Sequence, residues 1–226
     1  FVASDIPAIL DHTRKVVFLE SKQMAVVTQD TVELKTITGQ AVKPNIHVVG
    51  WDPVSAEKGE YRHFMQKEIH EQVRSLTETL AGRVNFDAGK VDLPQLNADA
   101  DLVKKIEKII ITGCGTASHA GMVGKLLIEK IARISVELDI ASELRYRDPI
   151  ITPGTLVVAV SQSGETADTL AAMEECRKRG AKIWSIVNAI GSQAMRTADG
   201  YISMQTGPEI GVASTKAFTA PLLDFY

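Results

Sequence analysis

The sequence has few of the residues that mark secreted, metal-binding or membrane proteins. Its 226 residues include two cysteines, Cys114 and Cys176, whose spacing fits no metal site. We therefore expect reduced thiols, no structural disulfide and a cytoplasmic location. No apolar run reaches the roughly 18 residues needed to cross a membrane. With 25 basic and 28 acidic residues the formal charge is −3, which argues against nucleic acid or an anionic membrane as a partner.

The composition that remains is ordinary for a globular protein, with 45% apolar residues and enough length for a full core. The amino end begins at Phe1, without a methionine or the basic region of a signal peptide. The carboxyl end, residues 221–226, stops within an apolar helical pattern. We therefore expect the sequence to be a piece of a longer protein.

The first 50 residues have the pattern of short strands and turns. Strands are predicted at 15–19, 24–28 and 32–37, the first two paired as a hairpin around residues 20–23. This segment is too small to form a core of its own. We interpret it as the last part of a domain that lies upstream.

A polar linker is predicted at 51–60, followed by a helix at 60–80. The helix places an apolar stripe along one side, formed by Phe64, Ile69, Val73 and Leu76. Its charged residues favour a solvated face, with a hinge or interdomain contact as the alternative; they are Arg62, His63, Lys67 and Glu68. Residues 85–101 are expected to form a polar connector, with or without a short helical turn.

From residue 100 onward, strands alternate regularly with helices. Strands are predicted at 108–112, 135–141, 155–160, 182–187 and 200–204, and helices at 118–132, 165–179, 192–198 and 213–226. The helix at 118–132 is expected to bury Met122, Leu126 and Ile131. This order predicts an α/β fold with a five-stranded parallel sheet covered on both faces.

Three polar turns follow predicted strands: GCGTAS at 113–118, SQSGET at 161–166 and GPEIGVAST at 207–215. Ligands of parallel sheets bind outside the carboxyl ends of the strands. The turn at 161–166 lies between a buried strand and a helix, where backbone N–H groups and the helix dipole favour an anion. Its hydroxyls, amide and glycine suit a phosphate; the alternative is that they only cap the next helix.

Other site chemistries have weaker support in the sequence. GCGTAS lacks the third glycine of a dinucleotide fingerprint, since Ser118 stands there, and no turn carries the lysine of a Walker loop. We predict no cofactor and no metal. His119, Cys114 and Lys216 are candidate catalytic groups, but a structural or surface role is favoured for each.

Four segments together resemble the glutamine–fructose-6-phosphate aminotransferase family: GEYRHFMQKEIHEQ, GCGTASHAGM, SQSGETADTL and GPEIGVASTKAFT. The turns also occur singly in the wider sugar-isomerase (SIS) domain family. The resemblance implies a three-layer, flavodoxin-like SIS fold. It divides the chain into the last strands of a class-2 glutamine amidotransferase domain (1–38), an interdomain linker (39–99) and a first SIS domain (100–226).

The resemblance also implies an activity: ammonia from glutamine is transferred to fructose 6-phosphate, giving glucosamine 6-phosphate. It assigns the sugar phosphate to Thr116, Ser161, Gln162, Ser163 and Thr166, and the sugar to Ser214 and the backbone of Val212. Cys114, Ala117 and Ser118 are further candidates for this site. Many relatives have serine where this chain has Ala117, so one phosphate hydroxyl is missing. Either Ser118 or backbone N–H groups substitute for it, or binding is weaker.

By the same resemblance, the catalytic groups belong to parts of the protein outside this chain, and the full protein is a homodimer. We therefore expect sugar-phosphate binding without turnover. One alternative is an SIS-type module that senses phosphosugars and regulates a partner. A third, weaker hypothesis is a nucleotide-dependent dehydrogenase.

Overall fold

The computed structural model describes residues 1–3, 6–49 and 57–226. The chain divides into two compact units, Phe1–Val54 and Ser55–Tyr226. The first unit contains a 3₁₀ turn at Pro7–Ile9 and four short strands: β1 (Lys15–Val16), β2 (Gln23–Val27), β3 (Val32–Thr36) and β4 (His47–Val48). Most of the linker predicted at 51–60 lies outside the described residues.

The predicted hairpin between the first two strands is wrong. Instead β2 pairs antiparallel with β3, and β1 pairs antiparallel with β4. The reason is the tight turn between β2 and β3, in which Thr28 N donates to Thr31 O at 2.9 Å and the two hydroxyl oxygens lie 2.7 Å apart. This turn makes β3 the nearest partner for β2.

The second unit opens with helix α1 (Phe64–Leu80), the hairpin β5 (Val84–Asn85) and β6 (Lys90–Val91), a 3₁₀ turn (Pro94–Leu96) and helix α2 (Ala100–Lys104). The predicted polar connector is therefore structured. It packs closely on the last strand of the sheet, because a Cβ on Gly200 would lie 2.2 Å from Leu96 O. Asn97 Nδ2 also donates to Asp199 O at 3.0 Å. The segment covers an edge that would otherwise present unpaired backbone groups.

The predicted five-stranded parallel sheet is confirmed. Its strands are β7 (Lys108–Gly113), β8 (Ser135–Ile140), β9 (Thr155–Ser161), β10 (Lys182–Val187) and β11 (Gly200–Ser203). They stand in the order β8-β7-β9-β10-β11, and every neighbouring pair is parallel. Central strand β9 is buried along its whole length, as its run of small apolar residues predicts.

Helices cover both faces of the sheet and make a three-layer structure. They are α3 (Thr116–Ile131), α4 (Ala141–Leu144), α5 (Ala167–Lys178), α6 (Gln193–Thr197) and α7 (Lys216–Phe225). One core cluster joins Ile111, Val158 and Ala220, on the side of α3 and α7. The other joins Ile110, Val157 and Met173, on the side of α4, α5 and α6. Alternate residues of each strand thus feed opposite cores.

The prediction for the buried face of α3 is wrong. Met122, Leu126 and Ile131 are 53%, 65% and 66% exposed. The helix buries small residues instead, because a Cβ on Gly121 would lie 2.7 Å from Ile111 Cγ2 and one on Gly124 would lie 2.6 Å from the Phe225 ring. Glycines let α3 approach β7 and α7 closely, and its large side chains are left on the outside.

The interpretation of α1 also changes. Ile69 and Val73 are exposed, whereas Lys67 and Glu68 are 8% and 2% exposed. The solvated face is therefore wrong for these two charged residues, while Arg62 and His63 are exposed as predicted. Helix α1 packs against α7. Buried charges need partners, and Lys67 Nζ lies 3.4 Å from the Glu71 carboxylate.

Within the described residues, no helix is long and apolar enough to span a membrane, and no cluster of three or more His, Cys, Asp or Glu side chains is placed to hold a metal ion. Both cysteines are free thiols, as predicted. Burial raises the pKa of the Cys176 thiol to about 11, which makes it an inert core side chain.

Candidate functional site

The strand order reverses between β7 and β9, which makes this the topological switch point of the sheet. The chain runs from β7 outward to β8 and then returns to β9 on the other side of β7. Gly113 at the end of β7 is paired with Val160 near the end of β9. The turns at 113–118 and 161–166 therefore leave neighbouring strands, about 4.8 Å apart. Crevices of this kind are where doubly wound sheets bind ligands.

The first turn leads directly into the amino end of α3. Gly115, with φ +57°, stands at the N-cap position of α3 and has no side chain that could cap the helix. Thr116, the first residue of the helix, is exposed. Ser118 is buried, and its Oγ donates to Gly115 O at 2.7 Å. Because that hydroxyl proton is already used, Ser118 is a poor replacement for the hydroxyl missing at Ala117. The Ser118 backbone N–H donates to Gly115 O at 3.1 Å, so the N–H groups of Thr116 and Ala117 are the ones that remain for an anion.

The second turn is shaped by its own hydroxyls. Ser161 Oγ accepts from Gly164 N at 3.0 Å, and Ser163 Oγ accepts from Glu165 N at 3.2 Å. Thr166, the residue that precedes α5, makes no side-chain cap; its hydroxyl oxygen lies 3.4 Å from that of Ser161. The capping alternative therefore fails, and the amino end of a 12-residue helix is left without a side-chain cap beside these hydroxyls.

The Glu165 side chain bonds outside the group of hydroxyls formed by Ser161, Ser163 and Thr166. Its Oε1 accepts from Gln193 N, the first residue of α6, at 2.6 Å. A carboxylate at a helix amino end stabilises that helix. The one acidic side chain of the SQSGET turn is thus engaged elsewhere, and the sequence alone does not show this.

Asn188, which sequence analysis did not single out, ties the second turn to the third. It is buried directly after β10, and its backbone N–H donates to Gln162 O at 3.2 Å. Its side chain donates to Gly207 O at 2.6 Å and accepts from Thr206 N at 3.1 Å. An amide offers both a donor and acceptor in one plane. The only signal in the sequence is an asparagine at the end of an apolar strand.

The third turn contains the remaining predicted residues. Val212 is fully exposed. The Ser214 hydroxyl is shielded from solvent and has no hydrogen-bond partner within the described part of the chain. Lys216 is buried, and its ammonium donates to Glu71 Oε2 at 2.9 Å and to Pro208 O at 2.8 Å. A paired, hydrogen-bonded ammonium is a structural link between α1 and α7, so the structure gives no support to a Schiff-base role.

The switch-point turns together offer donors and little negative charge. Two helix amino ends, those of α3 and α5, open at neighbouring strand ends beside Thr116, Ser163 and Thr166. His119 is exposed on α3, and Cys114 is partly buried in the first turn. Hydroxyls, backbone N–H groups and positive helix ends are the groups that bind a phosphate dianion without a fixed cation.

The comparison with known proteins agrees with this geometry. Residues 102–225 match the SIS domain family. The chain is 48% identical, over its whole length, to glutamine–fructose-6-phosphate aminotransferase (isomerizing) of Caldanaerobacter subterraneus subsp. tengcongensis, and 49% identical over 98% of its length to that of Symbiobacterium thermophilum. It spans 37% and 36% of these two proteins.

Among solved structures, the C-terminal domain of glucosamine-fructose-6-phosphate aminotransferase from Francisella tularensis is similar, with a TM-score of 0.70 and 40% identity. The match covers 75% of this chain and 47% of that one. The switch-point sheet, its three hydroxyl-bearing turns and the matched residues lead to one assignment: the chain belongs to the SIS domain family.

Proposed function

We propose that this chain is the sugar-phosphate-binding part of an enzyme that makes glucosamine 6-phosphate from fructose 6-phosphate and glutamine. The turns at 113–118 and 161–166 hold the phosphate, through Thr116, Ser163, Thr166 and the backbone N–H groups around them. Ser161 and Gln162, which the resemblance also assigns to the phosphate, belong to the same turn, and Val212 and Ser214 contact the sugar. This chain binds the substrate, and the chemistry belongs to other parts of the full protein.

One observation carries the proposal: α3 and α5 both begin without a side-chain cap at the switch point, beside hydroxyls whose protons are not all used. Similarity over 100% of the chain to a glutamine–fructose-6-phosphate aminotransferase supports the choice of sugar. Three assignments stay predictions of the resemblance: residues 1–38 as the end of a glutaminase domain, residues 39–99 as a linker, and a homodimer. The cytoplasmic location stays a prediction from the cysteine content.

Titration calorimetry of the intact chain tests the proposal. Fructose 6-phosphate is expected to bind, and Ser163→Ala to weaken binding roughly threefold to tenfold by removing one phosphate hydroxyl. Ser135→Ala is the matched control, because Ser135 is an exposed serine at the amino end of β8. The proposed site lies at the other end of the strands, where they reach their carboxyl ends. Glutamine and fructose 6-phosphate together should give no glucosamine 6-phosphate.

The same titrations separate the rival functions. Binding of NAD with no binding of fructose 6-phosphate would support a dehydrogenase and overturn the proposal. Turnover by this chain alone would contradict the assignment of chemistry to other parts. A phosphosugar-sensing module would bind the same ligands, and the gene on either side of this segment distinguishes it from an enzyme.

Restoring the missing hydroxyl should strengthen binding. Ala117 is the second residue of α3 and is partly buried beside the switch point. Ala117→Ser adds a donor there, and we expect fructose 6-phosphate to bind roughly threefold to tenfold more tightly. Calorimetry at constant pH measures the change. Unchanged or weaker affinity would mean that the phosphate does not reach the first turn of α3.

A further inference from the structure

Glu68 on α1 holds the middle of the third turn, although some 140 residues of sequence separate them. Its side chain is 2% exposed. Its Oε1 accepts from Ile210 N at 2.6 Å and from Gly211 N at 3.0 Å, and its Oε2 lies 3.2 Å from the same Gly211 N. Two successive backbone N–H groups thus converge on one buried carboxylate, and charge-assisted bonds of this kind are strong.

Gly211 is fitted to this carboxylate. A Cβ on Gly211 would lie 2.5 Å from Glu68 Oε2 and 3.6 Å from Met65 Cα. A larger residue would force the turn away from α1 or displace the carboxylate. The contact therefore depends on both partners, which gives two independent ways to disturb it.

The rest of the third turn is also anchored, except at its tip. At the beginning of the turn, Asn188 bonds to Thr206 and Gly207. At the end of the turn, the Glu209 carboxylate accepts from Thr215 N at 2.8 Å and from the Thr215 hydroxyl at 2.9 Å. Between these anchors, residues 212–214 make no hydrogen bond to any other described residue. Ser214 Oγ is nevertheless buried, and a buried hydroxyl without a partner is unfavourable until a ligand supplies one.

We propose that Glu68 is a positioning residue for sugar recognition. By fixing Ile210 and Gly211 it presents the Val212 backbone and the Ser214 hydroxyl to the sugar, while the first two turns hold the phosphate. This proposal rests on the proposed function of the site. It makes α1, which precedes the sheet in sequence, a part of the substrate site and divides the recognition of sugar and phosphate between different turns.

The division gives a test that a merely structural role would not pass. In Glu68→Ala, the affinity for fructose 6-phosphate is expected to fall about tenfold or more, and the affinity for inorganic phosphate to stay within about twofold. Glu68→Gln keeps one acceptor oxygen and should fall between Glu68→Ala and the unmodified chain. Glu78→Gln is the control: the same change on α1, at a carboxylate that pairs with Arg74. Calorimetry measures the sugar phosphate, and an NMR titration measures inorganic phosphate.

The outcomes separate this inference from the proposed function. If the unmodified chain binds neither ligand, the proposed function fails. If it binds both, and Glu68→Ala either changes neither affinity or weakens both equally, the positioning role is wrong. Should Glu68→Ala not fold, Gly211→Ala disturbs the same contact from the side of the turn. It is expected to lower the affinity for fructose 6-phosphate and to leave that for inorganic phosphate nearly unchanged. No change in either affinity, or an equal loss in both, would contradict the positioning role.

Discussion

Replacing Gly164 by alanine is expected to lower fructose 6-phosphate affinity at least about tenfold and to destabilise the fold by roughly 2–4 kcal/mol. Gly164 has φ +65°, in the left-handed region that strains every residue with a Cβ. That Cβ would also lie 2.1 Å from Ser192 Oγ and 2.6 Å from Ser192 Cβ, and Ser192 is buried. The turn must shift, and with it the groups proposed to hold the phosphate. Calorimetry and denaturant unfolding measure the two losses.

Two variants separate strain from collision. Gly180 has φ +97° but open space around its Cβ position, and it lies before β10 at the opposite edge of the sheet. Gly180→Ala should therefore show strain alone and keep full affinity. Ser192→Gly combined with Gly164→Ala removes the collision and should recover part of the binding. Full affinity in Gly164→Ala would mean that the SQSGET turn does not hold the ligand.

At pH 8, where Asp224 is mostly ionised, replacing Arg83 by methionine is expected to destabilise the second unit by about 3–5 kcal/mol, because it leaves a buried carboxylate without its cation. Arg83 Nη1 lies 3.3 Å from Asp224 Oδ1, with side-chain exposures of 11% and 3%. Arg83 also donates to Ser203 O. Arg74→Met, at an exposed i,i+4 pair with Glu78 on α1, is the matched control and should change stability by less than about 1 kcal/mol.

The pH dependence identifies Asp224 as the origin of this effect. Burial raises its pKa from 3.8 to about 7, and the charge of Arg83 opposes this rise only in part. The folded state therefore takes up a proton that the unfolded chain has already released, so the contribution to stability is full below about pH 4 and is lost as pH rises to 7. Asp224→Asn should remove this slope, and the loss in Arg83→Met should be larger at pH 8 than at pH 5. A pH-independent loss would contradict the assignment. Urea unfolding across this range measures it.

The sheet was predictable because its central strands, β7 and β9, are mostly apolar on both faces. Runs such as residues 155–160 can be buried only inside a layered fold, and alternation with helices leaves a parallel sheet as the simplest arrangement. The three polar turns were predictable as a group for the same reason, since parallel strands end at one edge. Residues 15–37 were predicted less well, because short half-exposed strands leave their pairing to the turns.

Helix faces were the weakest predictions, and α1 and α3 fail for opposite reasons. On α3, glycines give a close approach that outweighs the burial of Met122 and Leu126. On α1, Glu68 is buried because the N–H groups of Ile210 and Gly211 satisfy its carboxylate. The pattern of apolar and polar residues along a helix does not show how closely another backbone approaches it. It also does not show which group pairs with a buried charge.

The sequence by itself determined the α/β class and the position of the three turns, and it is the source of the proposed anion chemistry of SQSGET, because strand burial, turn residues and helix starts are local properties. Only the tertiary structure decided which turns are neighbours, that Thr166 leaves α5 uncapped, that Glu165 turns toward α6, and that Glu68 and Asn188 bond to the third turn and the residue before it. Those facts depend on the order of the strands and on contacts between residues far apart in the chain. Neither can be inferred from the residues of one short segment.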